Sequence, residues 1–123
     1  MNNPAETPRL RLRIVFADGS WMGPGKADLL EGIARTGSIA AAGREMGMSY
    51  KRAWQLVEAM NAIFREPLVL RSRGGAKGGG ATVTEAGQSV LAAYRGVVKA
   101  AGRAGAGHLA ALEDMLSDIA SGK

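Results

Sequence analysis

Ser49-Tyr50-Lys51-Arg52 and, one helical turn on, Gln55 place two hydroxyls, two cations and a carboxamide within seven residues. Cations of this kind neutralise phosphate, and hydroxyls and carboxamides hydrogen-bond phosphate oxygens or base edges. Arg71, Arg73 and Lys77 extend the basic set. Between Arg44 and Lys77 seven basic side chains stand against three acidic ones, which puts four of the chain's five net positive charges there. Charge that only aids solubility has no reason to concentrate in one segment, and a sequence pI near 10.1 points toward polyanions. Catalytic chemistry is not indicated. The sequence has no cysteine, no carboxylate pair, no nucleophile–base pair and no metal-ligand cluster, and its one histidine, His108, has no second ligand nearby. No catalytic residue, no metal and no cofactor is expected, and the chain does not read as an enzyme.

Residues that read a ligand need a rigid mount, and Ser38 to Phe64 supplies one. The pattern predicts two short helices, about Ile39–Met46 and Tyr50–Phe64, crossing through a tight turn at Gly47, where a positive φ is needed. Gly43 sits four residues before that turn, where a β-carbon would hold the helices apart. Ala42, Met46, Met48, Ala53 and Leu56 supply apolar contacts between them. Ser38 and Ser49 precede the two helices, each placed to accept an orphan backbone N–H. Along the second helix Ala53, Leu56, Val57, Met60, Ile63 and Phe64 recur at helical spacing and are expected inside. Tyr50, Lys51, Arg52 and Gln55 are then left outside at its N-terminal end. That is the organisation of a helix-turn-helix whose second helix enters a DNA groove.

The flanking segments fit the same plan. Residues 1–8 are polar with two prolines and are expected to be disordered. Leu10, Leu12, Ile14 and Phe16 alternate with Arg9, Arg11, Arg13 and Val15 as in a half-buried strand, Asp18-Gly19 signals a hairpin, and Ser20–Met22 returns. The three arginines are read first as solubilising the exposed strand face, with phosphate contact as the alternative. Pro24-Gly25 opens a helix over about Lys26–Thr36, with Leu29, Leu30 and Ile33 inward and Gly37 as its stop. After Pro67, Leu68–Arg73 forms a strand, Gly74–Gly80 a glycine-rich loop, and Ala81–Val83 a return strand: a wing. The loop matches no nucleotide-binding fingerprint. Its glycines suit close approach to a sugar-phosphate backbone, with Lys77 as the tip cation. Trp54 is expected to pack against the wing or the preceding helix. Thr84 caps a last helical region with two apolar stripes, Val90, Tyr94, Val97 and Ala101, then Leu109, Leu112, Met115, Leu116 and Ile119. Gly102, Gly105 and Gly107 predict a bend or break between them. An apolar stripe with no domain left to cover suggests a partner helix from a second copy of the chain.

The chain is thus mainly α with small β hairpins: a winged helix-turn-helix over residues 9–84 and a C-terminal helical dimerisation segment over 85–123. No apolar run reaches the length of a membrane span and no signal-peptide core is present, so a soluble, cytoplasmic protein is expected.

The string Ser49-Tyr50-Lys51-Arg52-Ala53-Trp54, the pair Met60-Asn61 and the wing from Gly74 to Thr84 resemble the N-terminal DNA-binding domain of the ModE family of molybdate-responsive transcriptional regulators. The helix-turn-helix by itself is also similar to that of LysR-type regulators. The ModE resemblance covers roughly residues 10–120. It implies a homodimer that binds double-stranded DNA and regulates molybdate transport or molybdoenzyme genes; by charge and position, Ser49, Tyr50, Lys51, Arg52, Gln55, Arg71, Arg73 and Lys77 are the residues expected on the DNA. Members of that family also carry C-terminal molybdate-binding domains, for which 123 residues leave no room. Molybdate is therefore not expected as a ligand of this chain, and any response to it would pass through a separate molybdate-binding protein. The reading from another class is a winged-helix protein-interaction domain that does not bind DNA. It predicts a neutral or acidic recognition surface, whereas Lys51, Arg52, Arg71, Arg73 and Lys77 make this one basic.

Overall fold

A computed structural model describes residues 9–72 and 80–117. They form two compact units, Leu12–Tyr94 and a second that joins residues 9–11 to those from Arg95 onward.

The first unit opens with a hairpin, β1 (Ile14–Val15) antiparallel to β2 (Trp21–Met22), with Ile14 opposite Met22 and Val15 opposite Trp21. The Asp18-Gly19 signal acts through concrete bonds. The Asp18 carboxylate accepts from the Ser20 N–H at 2.9 Å and from the Ser20 hydroxyl at 2.6 Å, which lowers the Asp18 pKa, and Gly19 takes φ +90°. The predicted alternation holds beyond the paired residues: Arg11, Arg13 and Val15 are exposed while Leu12, Ile14 and Phe16 are half-buried.

Helix α1 (Pro24–Thr36) begins two residues before the expected Lys26. Proline at the first helical position loses only an N–H that would be unsatisfied there, so Pro24 and Gly25 belong to the first turn. Ala27, Leu29, Leu30 and Ile33 are fully buried, and Gly37 ends the helix at φ +71° with its N–H donated to the Ile33 carbonyl at 2.8 Å. Helices α2 (Ile39–Glu45) and α3 (Tyr50–Ile63) follow, each one residue shorter than expected at its C-terminus. Ala53, Val57 and Met60 of α3 are fully buried. Leu56, Ile63 and Phe64 are only half-buried, so the inward face is narrower than the hydrophobic pattern. Phe64 lies past the helix and meets Phe16 edge-on, centroids 6.0 Å apart.

The wing strands β3 (Val69–Ser72) and β4 (Gly80–Val83) pair antiparallel, Val69 with Val83 and Arg71 with Ala81. Leu68, just ahead of β3, is fully buried. The Ala81 N–H donates to the Gly37 carbonyl at 2.9 Å, so the stop of α1 also anchors the wing. Helix α4 (Glu85–Ala104) starts on Thr84, whose hydroxyl accepts from the Gly87 N–H at 3.0 Å. Gly87 is obligatory there, because a β-carbon would lie 2.4 Å from the Leu68 carbonyl oxygen. The winged unit keeps the first half of α4 through buried Tyr94, which donates its phenol to the Leu12 carbonyl at 2.6 Å.

In the second unit the expected break falls at Gly105, between α4 and α5 (Ala106–Asp114). Val97, Leu112, Met115 and Leu116 are exposed there, and His108 is exposed as well.

Candidate nucleic-acid interface

The α2–α3 pair is held by contacts that leave one face of α3 free. A β-carbon on Gly43 would stand 2.9 Å from the Ala53 β-carbon, closer than real side chains come, so glycine lets the two helices meet. The turn between them runs through Gly47 at φ +73°. Ser38 and Ser49 cap as expected, accepting from the Ala41 N–H at 3.0 Å and the Arg52 N–H at 3.1 Å. Gly32 does for α1 and α2 what Gly43 does for α2 and α3, its virtual β-carbon lying 3.1 Å from that of Ala42. A two-stranded Arg35–Glu45 ion pair, with bonds of 3.0 and 2.5 Å, ties α1 to the end of α2 and holds the Glu45 carboxyl below its usual pKa. Neither Gly32 nor that pair carries a sequence signal legible before the helices are assembled.

With Ala53, Val57 and Met60 facing the core, Ser49, Tyr50, Lys51, Arg52 and Gln55 all stand exposed along the opposite side of the first turns of α3. The structure brings Tyr50 together with the wing. Tyr50, Arg71, Ser72 and Gly80 line an open recess of about 230 Å³ with Ser38 and Ile39. Trp54 packs toward the wing, the Arg71 guanidinium lying over its ring at 4.6 Å. Such stacking fixes the planar guanidinium while its N–H edge stays available. Arg73 and Lys77 lie outside the described residues.

Two features escaped the sequence reading. The first is Asn61, which clamps the wing strand. Its Oδ1 accepts from the Leu68 N–H at 2.7 Å and the Val69 N–H at 3.1 Å, and its Nδ2 donates to the Val69 carbonyl at 3.1 Å. Asparagine pairs with backbone in this way only once the partner strand is known to lie alongside, so spacing alone could not show it. The second is a cationic stack on the hairpin. The Arg13 guanidinium sits 4.0 Å, and the Lys26 ammonium 3.6 Å, from the Trp21 ring centroid. Lys26 is only 4% exposed and donates to the Trp21 carbonyl at 3.0 Å. Burial depresses its pKa, and Arg13 and then Arg52 depress it further. The hairpin register carried a signal: Val15 pairs with Trp21, so Arg13, two residues earlier on the same face, is Trp21's diagonal neighbour.

Among the described residues no group of three His, Cys, Asp or Glu could hold a metal ion, and no helix is long and apolar enough to cross a membrane.

Residues 26–88 match the family described as bacterial regulatory helix-turn-helix protein, lysR family. The chain belongs to that family. The match runs from α1 through the wing into the first turn of α4 and contains the helix-turn-helix that resembles LysR-type regulators. This LysR-type chain is 51% identical over 76 residues to the molybdenum-pterin-binding protein MopB of Rhodobacter capsulatus, covering 62% of this chain and 28% of that one. It is 46% identical over 67 residues to the molybdenum transport protein ModE of Azotobacter vinelandii, covering 54% and 25%. It is 40% identical over 80 residues to the DNA-binding transcriptional dual regulator ModE of Escherichia coli K12, covering 65% and 29%. The chain thus spans less than a third of the length of each of these relatives, and the expected likeness to ModE proteins is borne out over that stretch. Among solved structures, "Crystal structure of CbnR_DBD-DNA complex" superposes with a TM-score of 0.57 at 26% identity, covering 72% of this chain and 95% of that one.

Proposed function

We infer that this LysR-type chain is a sequence-specific, double-stranded-DNA-binding transcriptional regulator acting in molybdate-related control. The observation that carries the reading is the two-sidedness of α3: its capped N-terminal turns expose Tyr50, Lys51, Arg52 and Gln55 while Ala53, Val57 and Met60 lock the other side. A helix fixed along one side and studded with cations and amide donors on the other fits the major groove. In this reading Ser49 and the Trp54-stacked Arg71 take the phosphate backbone beside the helix. The relatives named ModE and the neighbour solved on DNA support the same role.

Two copies act together in this reading. Leu112, Met115 and Leu116 lie at helical spacing on and just after α5, and with Val97 they leave an exposed apolar surface that a second chain would cover. Twofold pairing sets two α3 helices about 34–36 Å apart, or a multiple of that, on an imperfect palindrome. Binding of the intact protein to duplex DNA from upstream of molybdate transport and molybdoenzyme genes, with shuffled duplexes as competitors, tests the function. The expected result is a complex that survives shuffled competitor and sediments with two chains per duplex. Equal competition by both DNAs would refute sequence-specific regulation.

A further inference from the structure

The hairpin ahead of α1 carries a concentration of positive charge that the recognition helix does not explain. Arg13 and Lys26 share the Trp21 ring, at 4.0 and 3.6 Å from its centroid. Lys26 is buried, and burial, Arg13 and Arg52 together depress its pKa with no carboxylate raising it. Asp18, the acid that lines a recess with Trp21 and Lys26, is already engaged by two hydrogen bonds from Ser20 in its own turn. Bringing like charges to one ring is unfavourable. The ring's negative face offsets part of that cost, and an anion would offset the rest.

The division of labour follows from exposure. Lys26 is engaged: its ammonium bonds the Trp21 carbonyl and the residue is largely buried, so it contributes field more than contact. Arg13 and Arg52 are exposed. Arg13 rests on the indole, 4.0 Å from its centroid, which restricts the side chain and leaves its N–H donors available to a tetrahedral oxyanion.

We propose that the N-terminal hairpin is a second DNA contact, in which Arg13, stacked on Trp21, holds one backbone phosphate. The proposal rests on the DNA-binding role inferred above and extends the interface to a hairpin outside the helix-turn-helix and wing. A free oxyanion shares the chemistry, and the test separates the two sources.

The experiment pairs Arg13→Ala with single methylphosphonate substitutions along a duplex that the wild-type protein binds. Arg13 is exposed, so the variant is expected to fold, and circular dichroism checks that. Arg13→Ala should weaken binding roughly five- to tenfold at 0.1 M salt, on cognate and shuffled DNA alike, and lower the salt slope by about one. One phosphate position should reproduce that loss in the wild-type protein and add nothing in the variant. Trp21→Leu should give a smaller loss at the same position, because it frees the guanidinium without removing its charge. Arg11→Ala, an equal charge loss one alternation away, should show no coupling to that phosphate. Unchanged DNA affinity in Arg13→Ala would overturn the proposal while leaving the α3 reading intact. So would coupling to no phosphate, or a variant that loses only affinity for inorganic sulfate, which would assign the site to a free oxyanion. If the wild-type protein binds no DNA, the functional reading falls and this proposal falls with it.

Discussion

Asn61 of α3 and Val69 of β3 are joined by a reciprocal pair of hydrogen bonds, each 3.1 Å long, in which the carboxamide both accepts the Val69 N–H and donates to the Val69 carbonyl. With the shorter bond from the Leu68 N–H, this makes α3 itself a mount of the wing. This clamp fixes β3 against α3 together with the Arg71–Trp54 stack, and the Ala81 N–H bond to the Gly37 carbonyl holds β4.

Asn61→Ala should leave the Leu68 and Val69 N–H groups without their acceptor at a place where both residues are buried. The expected cost is about 1–3 kcal/mol of stability for buried donors left unpaired. DNA affinity should also fall, on cognate and shuffled duplexes together, because the wing loses its fixed position. Urea denaturation and DNA titration of the same variant check both parts. Full stability would show that water or a neighbour replaces the carboxamide.

Gly43→Ala tests the crossing of α2 over α3. The added methyl would meet Ala53 at 2.9 Å, with the Met48 side chain 3.4 Å away, so the helices must move apart. Overpacking of this kind costs about 1–3 kcal/mol. The pair Gly43→Ala with Ala53→Gly should recover part of the loss, since it returns the space on the facing helix. Denaturation midpoints of the two variants decide it, and no rescue would place the strain elsewhere.

Lys26 makes stability depend on pH in a stated direction. Its folded pKa lies below the usual lysine value of 10.5, so folding favours the neutral amine and charging it costs stability. That cost is present in full below the folded pKa and is relieved as pH rises from there to 10.5. Lys26→Met removes the titration. Between neutral pH and about 10.5 the wild-type protein should therefore gain stability relative to Lys26→Met. Parallel curves across that range would show that the lysine is not held against its charge.

Much of this architecture was legible because local chemistry and global geometry coincide. Gly37 and Gly47 announce positive φ, Ser38 and Ser49 announce caps, and Asp18-Gly19 announces a hairpin, each through a few neighbouring residues. The exposed face of α3 followed from helical periodicity alone. What stayed hidden depends on approach between segments far apart in sequence. Gly32 needs Ala42, Gly87 needs the Leu68 carbonyl, and Tyr94 needs the Leu12 carbonyl 82 residues away. The arginines of the first strand stand exposed as their alternation predicts, and Arg13 also stacks on Trp21, a contact visible only once the hairpin register is known. Half-burial of Leu56, Ile63 and Phe64 shows the opposite limit: hydrophobic spacing marks which side faces inward and not how deeply.

Sequence reading by the exposed N-terminal turns of α3, as proposed, is tested most directly by the affinity ratio between a cognate and a shuffled duplex for wild type, Lys51→Ala and Arg52→Ala. Both side chains lie outside the buried face of α3, so neither variant should leave a cavity or shift the denaturation midpoint. The account predicts that at least one variant loses about 1–3 kcal/mol of discrimination at one position of the site, with its fold unchanged. An unchanged affinity ratio in both variants, on a duplex that the wild-type protein prefers, would contradict it.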